Sequence, residues 1–178
     1  MESKVEKTNS LLYAPNIISH IRKNHALEHA SINVLSTKRP NTALSGYSID
    51  RGFWILGSVD IEDVKNSVDI AVSRMKNGES GLAIHKNCGT NLAVSALCLA
   101  GSSLLVMAGA DTKQKRLDRF SWLMLADCVM LEVSRPLGLK AQKYVTTDAD
   151  ISKLQIVGIS SQKLHGIPLF FVETQLLS

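Results

Sequence analysis

The strongest constraint on the fold is a run of about 24 consecutive residues without a formal charge, from residue 87 to residue 110. Its inner part, 92–110, is nearly all apolar, and a helix that spans a bilayer needs roughly 20 such residues. Ala93, Ala96, Ala100, Gly101 and Gly109 supply the small side chains that let membrane helices approach closely. A buried helix of a soluble protein is usually shorter and carries a polar stripe. The length therefore favours a membrane-spanning helix over a core helix.

A tight basic turn, 111–119, follows. The next segment, 120–133, is apolar except for Asp127 and Glu132, and it ends at Arg135-Pro136. A carboxylate in lipid is costly and needs a partner. We therefore expect a return helix packed on the first, with Asp127 facing inward and Trp122 as an interfacial anchor. A half-inserted or surface-lying helix is the alternative.

The rest of the chain has mixed character. With 45% hydrophobic and 20% charged residues it is no disordered chain. A helix is expected from Asn16, as N-cap, to about Leu35, with Ile18, Ile21, His25, Glu28, His29, Ile32 and Leu35 on one face and Lys23, Ala30 and Lys38 away from it. Two strands, 43–49 and 53–59, turn at Asp50-Arg51-Gly52. Asp60 with Asp63 resembles a capping arrangement and opens a second helix, which Gly78 ends. Further strands are expected at 81–85, 142–146, 154–159 and 167–173. The fold class is α+β: a tail (1–15), a helix/strand part (16–90), an inserted apolar helical hairpin (91–136), and C-terminal strands (137–178) packing back on 16–90.

Charge and cysteines bound the partners. The net charge of +4 comes from scattered residues with no long basic run, so nucleic acid has no footprint, whereas anionic lipid suits the mild positive balance. Cys88, Cys98 and Cys128 form no CxxC and no pair pattern, which points to a reducing compartment. The first residues are charged, with no apolar run of signal-peptide type, so insertion is expected to use the internal segment. Lys113, Lys115, Arg116 and Arg119 would place the connecting turn in the cytoplasm. The free thiols and the missing signal peptide place the larger polar parts there instead, and we follow the second argument.

The sharpest chemical motif is His25-Ala26-Leu27-Glu28-His29, the order found in inverted zincins. On a helix His25 and His29 stand one turn apart and can direct ring nitrogens at one cation, with Glu28 beside them as base or outer-shell partner. The competing reading is a pair of core histidines bonded to backbone. A third ligand is required, and His85 and Cys88 have the best chemistry for zinc. Glu79, Asp127 and Glu132 are further candidates, while His20 lies about 140° round the helix from His25. His165 reads as a surface residue, Cys98 and Cys128 as packing residues. Cys88-Gly89-Thr90-Asn91 precedes the apolar helix, whose N-terminus favours a thiolate. His85 and Cys88 are thus also a candidate nucleophilic pair, against the plainer view that Gly89 makes a turn and Thr90 or Asn91 caps the helix.

The segments 22–30 and 82–91, with Asn24-His25-Ala26-Leu27-Glu28-His29-Ala30 and Leu82-Ala83-Ile84-His85-Lys86-Asn87-Cys88-Gly89-Thr90-Asn91, resemble an uncharacterised bacterial family that pairs these motifs ahead of apolar helices. Gly52-Phe53-Trp54-Ile55-Leu56-Gly57 and Asn77-Gly78-Glu79-Ser80 extend the likeness, which covers most of 16–145. The resemblance implies a bacterial inner-membrane protein of unknown activity and draws attention to Glu79, His85 and Cys88 as a set. The expectation is a membrane protein holding a divalent metal, zinc above others, through His25 and His29 with His85 or Cys88. If it is an enzyme, it is a metal-dependent hydrolase with Glu28 as base. A non-catalytic scaffold with a buried His/Glu network, and a Cys88/His85 thiol enzyme, are the rivals. The small-residue face from Ala93 to Gly101 permits self-association.

Overall fold

The computed structural model describes residues 2–177, with side chains from Ile17 onward. The elements in chain order are α1 (Glu2–Lys38), β1 (Ser45–Ile49), β2 (Gly52–Leu56), α2 (Ile61–Lys76), a 3-10 turn (Ser80–Ala83), α3 (Gly89–Met107), α4 (Lys113–Ala141), a π-helical turn (Gln142–Thr146), β3 (Leu154–Leu164) and β4 (Ile167–Leu176). They form a mixed helix-and-sheet fold in two compact units, Met1–His85 with Thr147–Ser178, and Lys86–Thr146.

In the first unit the sheet is antiparallel throughout, in the order β1-β2-β4-β3. Alternation along β2 and β4 sends Phe53, Ile55, Phe170 and Val172 into the core and leaves Trp54 and Phe171 stacked on the outer face, 4.5 Å between ring centroids. The turn between β1 and β2 is the expected one. Gly52, at φ +149°, lets the β4 backbone close in: a Cβ there would stand 2.0 Å from the Val172 carbonyl oxygen. At the other hairpin His165 and Gly166 both take positive φ, the two-residue turn that matches strand twist.

Helix α1 lies against β1, β2, α2 and the 3-10 turn. From Ala26 to Ile32 every residue is buried, including Ala30, which the sequence pattern places away from the core. Val64, Val68, Ala71 and Met75 of α2 complete the core. The acidic first turn of α2 receives the basic end of α1. Asp63 accepts from Lys38 at 2.6 Å and from Arg39 at 2.6 Å, and these two cations hold its carboxyl below the usual carboxylate range. Asp60 occupies the N-cap position of α2 without a side-chain cap bond. The expected cap at Asn16 falls where α1 is continuous, and its side chain lies outside the described residues.

Other expectations give way as well. The segment 81–85 is no strand, since Ser80–Ala83 makes a 3-10 turn. Residues 142–146 continue from α4 as a π-helical turn. Helix α4 also runs through Pro136, whose missing N–H removes one ladder bond without ending the helix. The basic residues 113–119 lie in the first turns of α4. Arg116 donates to the Ala110 carbonyl at 2.9 Å and Arg119 to that of Val106 at 3.0 Å, so they satisfy carbonyls at the end of α3.

In the second unit α3 and α4 pack antiparallel, and their burial is inverted relative to a soluble hairpin. Polar groups meet between the helices: Asn91 accepts from Gln142 at 2.6 Å, Ser95 meets Ser134 at 2.8 Å, and Ser102 donates to Asp127. Asp127 thus faces inward as expected. Leu105, by contrast, is 80% exposed and Ser134 1%. Leu92, Leu97, Leu104, Phe120 and Trp122 also point outward, and Cys128, expected in packing, is exposed. Among the described residues α3 is the one helix long and apolar enough to cross a membrane, at about 28 Å.

The first unit has a titratable group wired into its core. His20 donates to Thr174 (3.0 Å), whose hydroxyl donates to Asn24 (2.6 Å), which donates to the Ile49 carbonyl (2.8 Å). Burial holds the imidazole below its ordinary 6.5, against the opposing pull of Asp50. The unfolded chain therefore takes up this proton first. Stability is lost as pH falls from 6.5 to the folded value and levels off below it. In urea titrations across this range, His20→Gln should show a flatter pH dependence than the wild type.

Candidate metal centre

The His25 and His29 rings come together as the one-turn spacing requires, with centroids 4.3 Å apart and planes at 61°. His85 approaches His29 at 5.7 Å between centroids. Two imidazoles on one tetrahedral ion have centroids roughly 5 Å apart, from metal–nitrogen bonds of about 2.0–2.1 Å. The His25–His29 spacing lies below that value and the His29–His85 spacing above it.

His29, 2% exposed, donates Nδ1–H to the Ala83 carbonyl at 2.7 Å. That bond fixes the tautomer and leaves Nε2 as the ligating atom of the ring. His85 bonds through Nδ1 to Asn33 Oδ1 at 2.7 Å. Asn33 spends its amide hydrogens on the Leu82 and Ile84 carbonyls, at 3.0 and 3.1 Å. Asn33 stands one turn beyond His29 on the His25–His29 stripe, and that i, i+4, i+8 placement is the signal by which the sequence could have disclosed it.

Glu28 is buried against β1. It accepts from the Ser48 hydroxyl, and its carboxyl occupies the space a side chain at Gly46 would need, 2.1 Å from Oε1 to an added Cβ. Cys88 is the N-cap of α3, its sulfur accepting the Thr90 N–H at 3.4 Å, a place that Thr90 or Asn91 was expected to take. Cys88 belongs to the second unit, so the imidazoles that the first unit itself brings together are those of His25, His29 and His85. The other candidates have their own partners. Glu79 is held by Arg74 at 2.5 Å, which keeps its carboxyl below the usual range. Asp127 bonds Ser102, and Glu132 pairs with Arg135 at 3.0 Å. His20 belongs to the Thr174–Asn24 network, and His165 sits exposed in the β3–β4 turn.

Fold and site together define a small α+β protein with an apolar helical hairpin and a histidine-paired central helix. The chain belongs to a family defined by a domain of unknown function, DUF6391, whose pattern matches residues 20–159. An uncharacterized protein of Picosynechococcus sp. is 36% identical over 139 residues, covering 71% of this chain and 65% of the relative. The chain therefore spans less than two thirds of that relative's length. No solved structure matches it.

The seat of Glu28 yields a direct test. Gly46→Val drives a side chain into the Glu28 carboxyl and should cost about 1–3 kcal/mol in denaturant unfolding. Gly81→Ala, where an added Cβ meets nothing within 4 Å, should stay within about 0.5 kcal/mol of the wild type.

Proposed function

We propose that this protein is a membrane-anchored metal-binding protein, with zinc as its ion. The observation that carries the reading is the His25–His29 pair on a buried helix, with the His29 Nδ1–H committed to a backbone carbonyl and Nε2 left to ligate. His85, in the same compact unit as the pair, supplies the third donor, and Cys88 is the alternative that the sequence motif offers. Both lie on one short segment, and three residues of chain reach at most about 10 Å. Two or three imidazoles with a thiolate suit zinc better than calcium or magnesium, which take oxygen.

The outward-facing leucines of α3 and α4, with serines, Asn91, Gln142 and Asp127 between the helices, support a bilayer anchor. In water such a surface would be an aggregation site. The larger polar parts then belong on the cytoplasmic side of a bacterial inner membrane. Lipid is the partner this surface fits, and helix pairing with a second copy is open to it.

Metal-assisted hydrolysis, with Glu28 as base on a metal-bound water, is the enzymatic form of the proposal. The Ser48 hydroxyl and Gly46 backbone that hold the Glu28 carboxyl favour a second form, a non-catalytic membrane scaffold in which Glu28 ties α1 to β1. The Cys88/His85 thiol enzyme is left with less support, because His85 Nδ1 already bonds Asn33.

Protein purified in mild detergent should carry zinc near one per chain by elemental analysis, and His25→Ala or His29→Ala should abolish it. Absence of metal in gently purified wild type would sink the reading. Glu28→Gln should keep the zinc in either form and lose turnover only in the hydrolytic one. Brominated lipid in reconstituted vesicles should quench Trp122 more strongly than Trp54; equal quenching would count against the anchor.

A further inference from the structure

The 3-10 turn Ser80–Ala83 and the residue after it offer three consecutive carbonyls, those of Leu82, Ala83 and Ile84, to α1. All three are taken by side chains of one helical stripe: Asn33 donates to the first and third, His29 to the second. With both its N–H groups so used, the Asn33 amide can present only its oxygen to His85, and an amide oxygen accepts. The proton between them therefore sits on His85 Nδ1. The same turn thus dictates the tautomer of two imidazoles, one directly and one through Asn33, and both rings carry their proton on Nδ1.

We infer that Asn33 is the positioning residue of the metal centre and that His85 is a ligand through Nε2. The inference rests on the metal reading above and goes beyond it by fixing which nitrogen binds and what holds it there. Without Asn33 the Leu82 and Ile84 carbonyls lose their partners on α1, while the His29 bond to Ala83 stays in place. Asn33 thus couples the turn to the orientation of His85. Asn33 touches no ion in this scheme and acts through His85 alone.

Long-range 1H–15N correlation of the zinc-free protein in detergent, at a pH where the rings are neutral, reads the tautomers directly. His29 and His85 should both carry the proton on Nδ1. Asn33→Leu should release His85 into a mixture of tautomers while His29, still bonded to Ala83, keeps its own. Zinc affinity by competition with a chromophoric chelator should fall about 10–100-fold, the usual cost of removing such a partner. Asn33→Asp keeps an acceptor for the His85 Nδ1–H while losing the donors to the turn, so it should preserve the His85 tautomer even if the fold loosens. His85→Ala should weaken zinc at least as much as Asn33→Leu.

Either a wild-type His85 with its proton on Nε2, or unchanged zinc affinity in Asn33→Leu, would overturn the role of Asn33 while leaving the metal reading intact. Unchanged affinity in His85→Ala would overturn His85 as a ligand. A wild type that takes up no zinc, yet shows Nδ1–H at both rings, would overturn the metal reading and the ligand assignment but uphold the tautomer control by Asn33.

Discussion

A helix enclosed on most of its circumference must find partners for most of the polar groups it carries, and α1 carries many. Asn24, Glu28 and His29 are buried and Asn33 half-buried. A buried polar group left unpaired costs on the order of 1–3 kcal/mol. Each of these side chains reaches a particular piece of backbone or hydroxyl: the end of β1, Ser48, Ala83, and the carbonyls on either side of it. The first unit is organised around those demands. The β1–β2 hairpin and the 3-10 turn lie where α1 can be satisfied, and the apolar core of β2, β4 and α2 closes round them.

The hairpin of the second unit follows the same rule with its burial reversed. Its helices put hydroxyls, amides and one carboxylate against each other and turn leucines and aromatic rings outward. In water this arrangement exposes apolar area with no compensation; in lipid it would keep these polar groups paired. Arg116 and Arg119 finish the last carbonyls of α3 in the same spirit. Their positive charge is therefore partly committed to a helix end, which weakens any inference about orientation from counting basic residues in the turn.

Local patterns were legible where the chain needed only its own neighbours. The one-turn histidine spacing, the Asp50–Arg51 turn with Gly52, the uncharged helix and the inward Asp127 follow from periodicity, conformational freedom and desolvation acting over a few residues. The failures share a cause. Residues 81–85 and 142–146 have strand-like composition, yet the first is held by α1 side chains taking its carbonyls and the second continues a helix. Pro136 looked like a terminator, and the helix ran on because one missing bond is tolerable inside a packed pair. Ala30 looked like a surface position because α1 was taken to pack on one side only.

By itself the sequence determined that this chain makes an α+β protein with an apolar hairpin, and that two histidines and a glutamate share a helix turn. Those properties depend on the spacing of residue types, and spacing is written in the chain. Only the tertiary structure decided that Glu28 would lean on Ser48 and Gly46, and that Asn33 would stand between the 3-10 turn and His85. These are contacts between segments 18 to 52 residues apart. Which nitrogen of an imidazole carries its proton is set by the atom it faces, and no periodicity in the sequence names that atom.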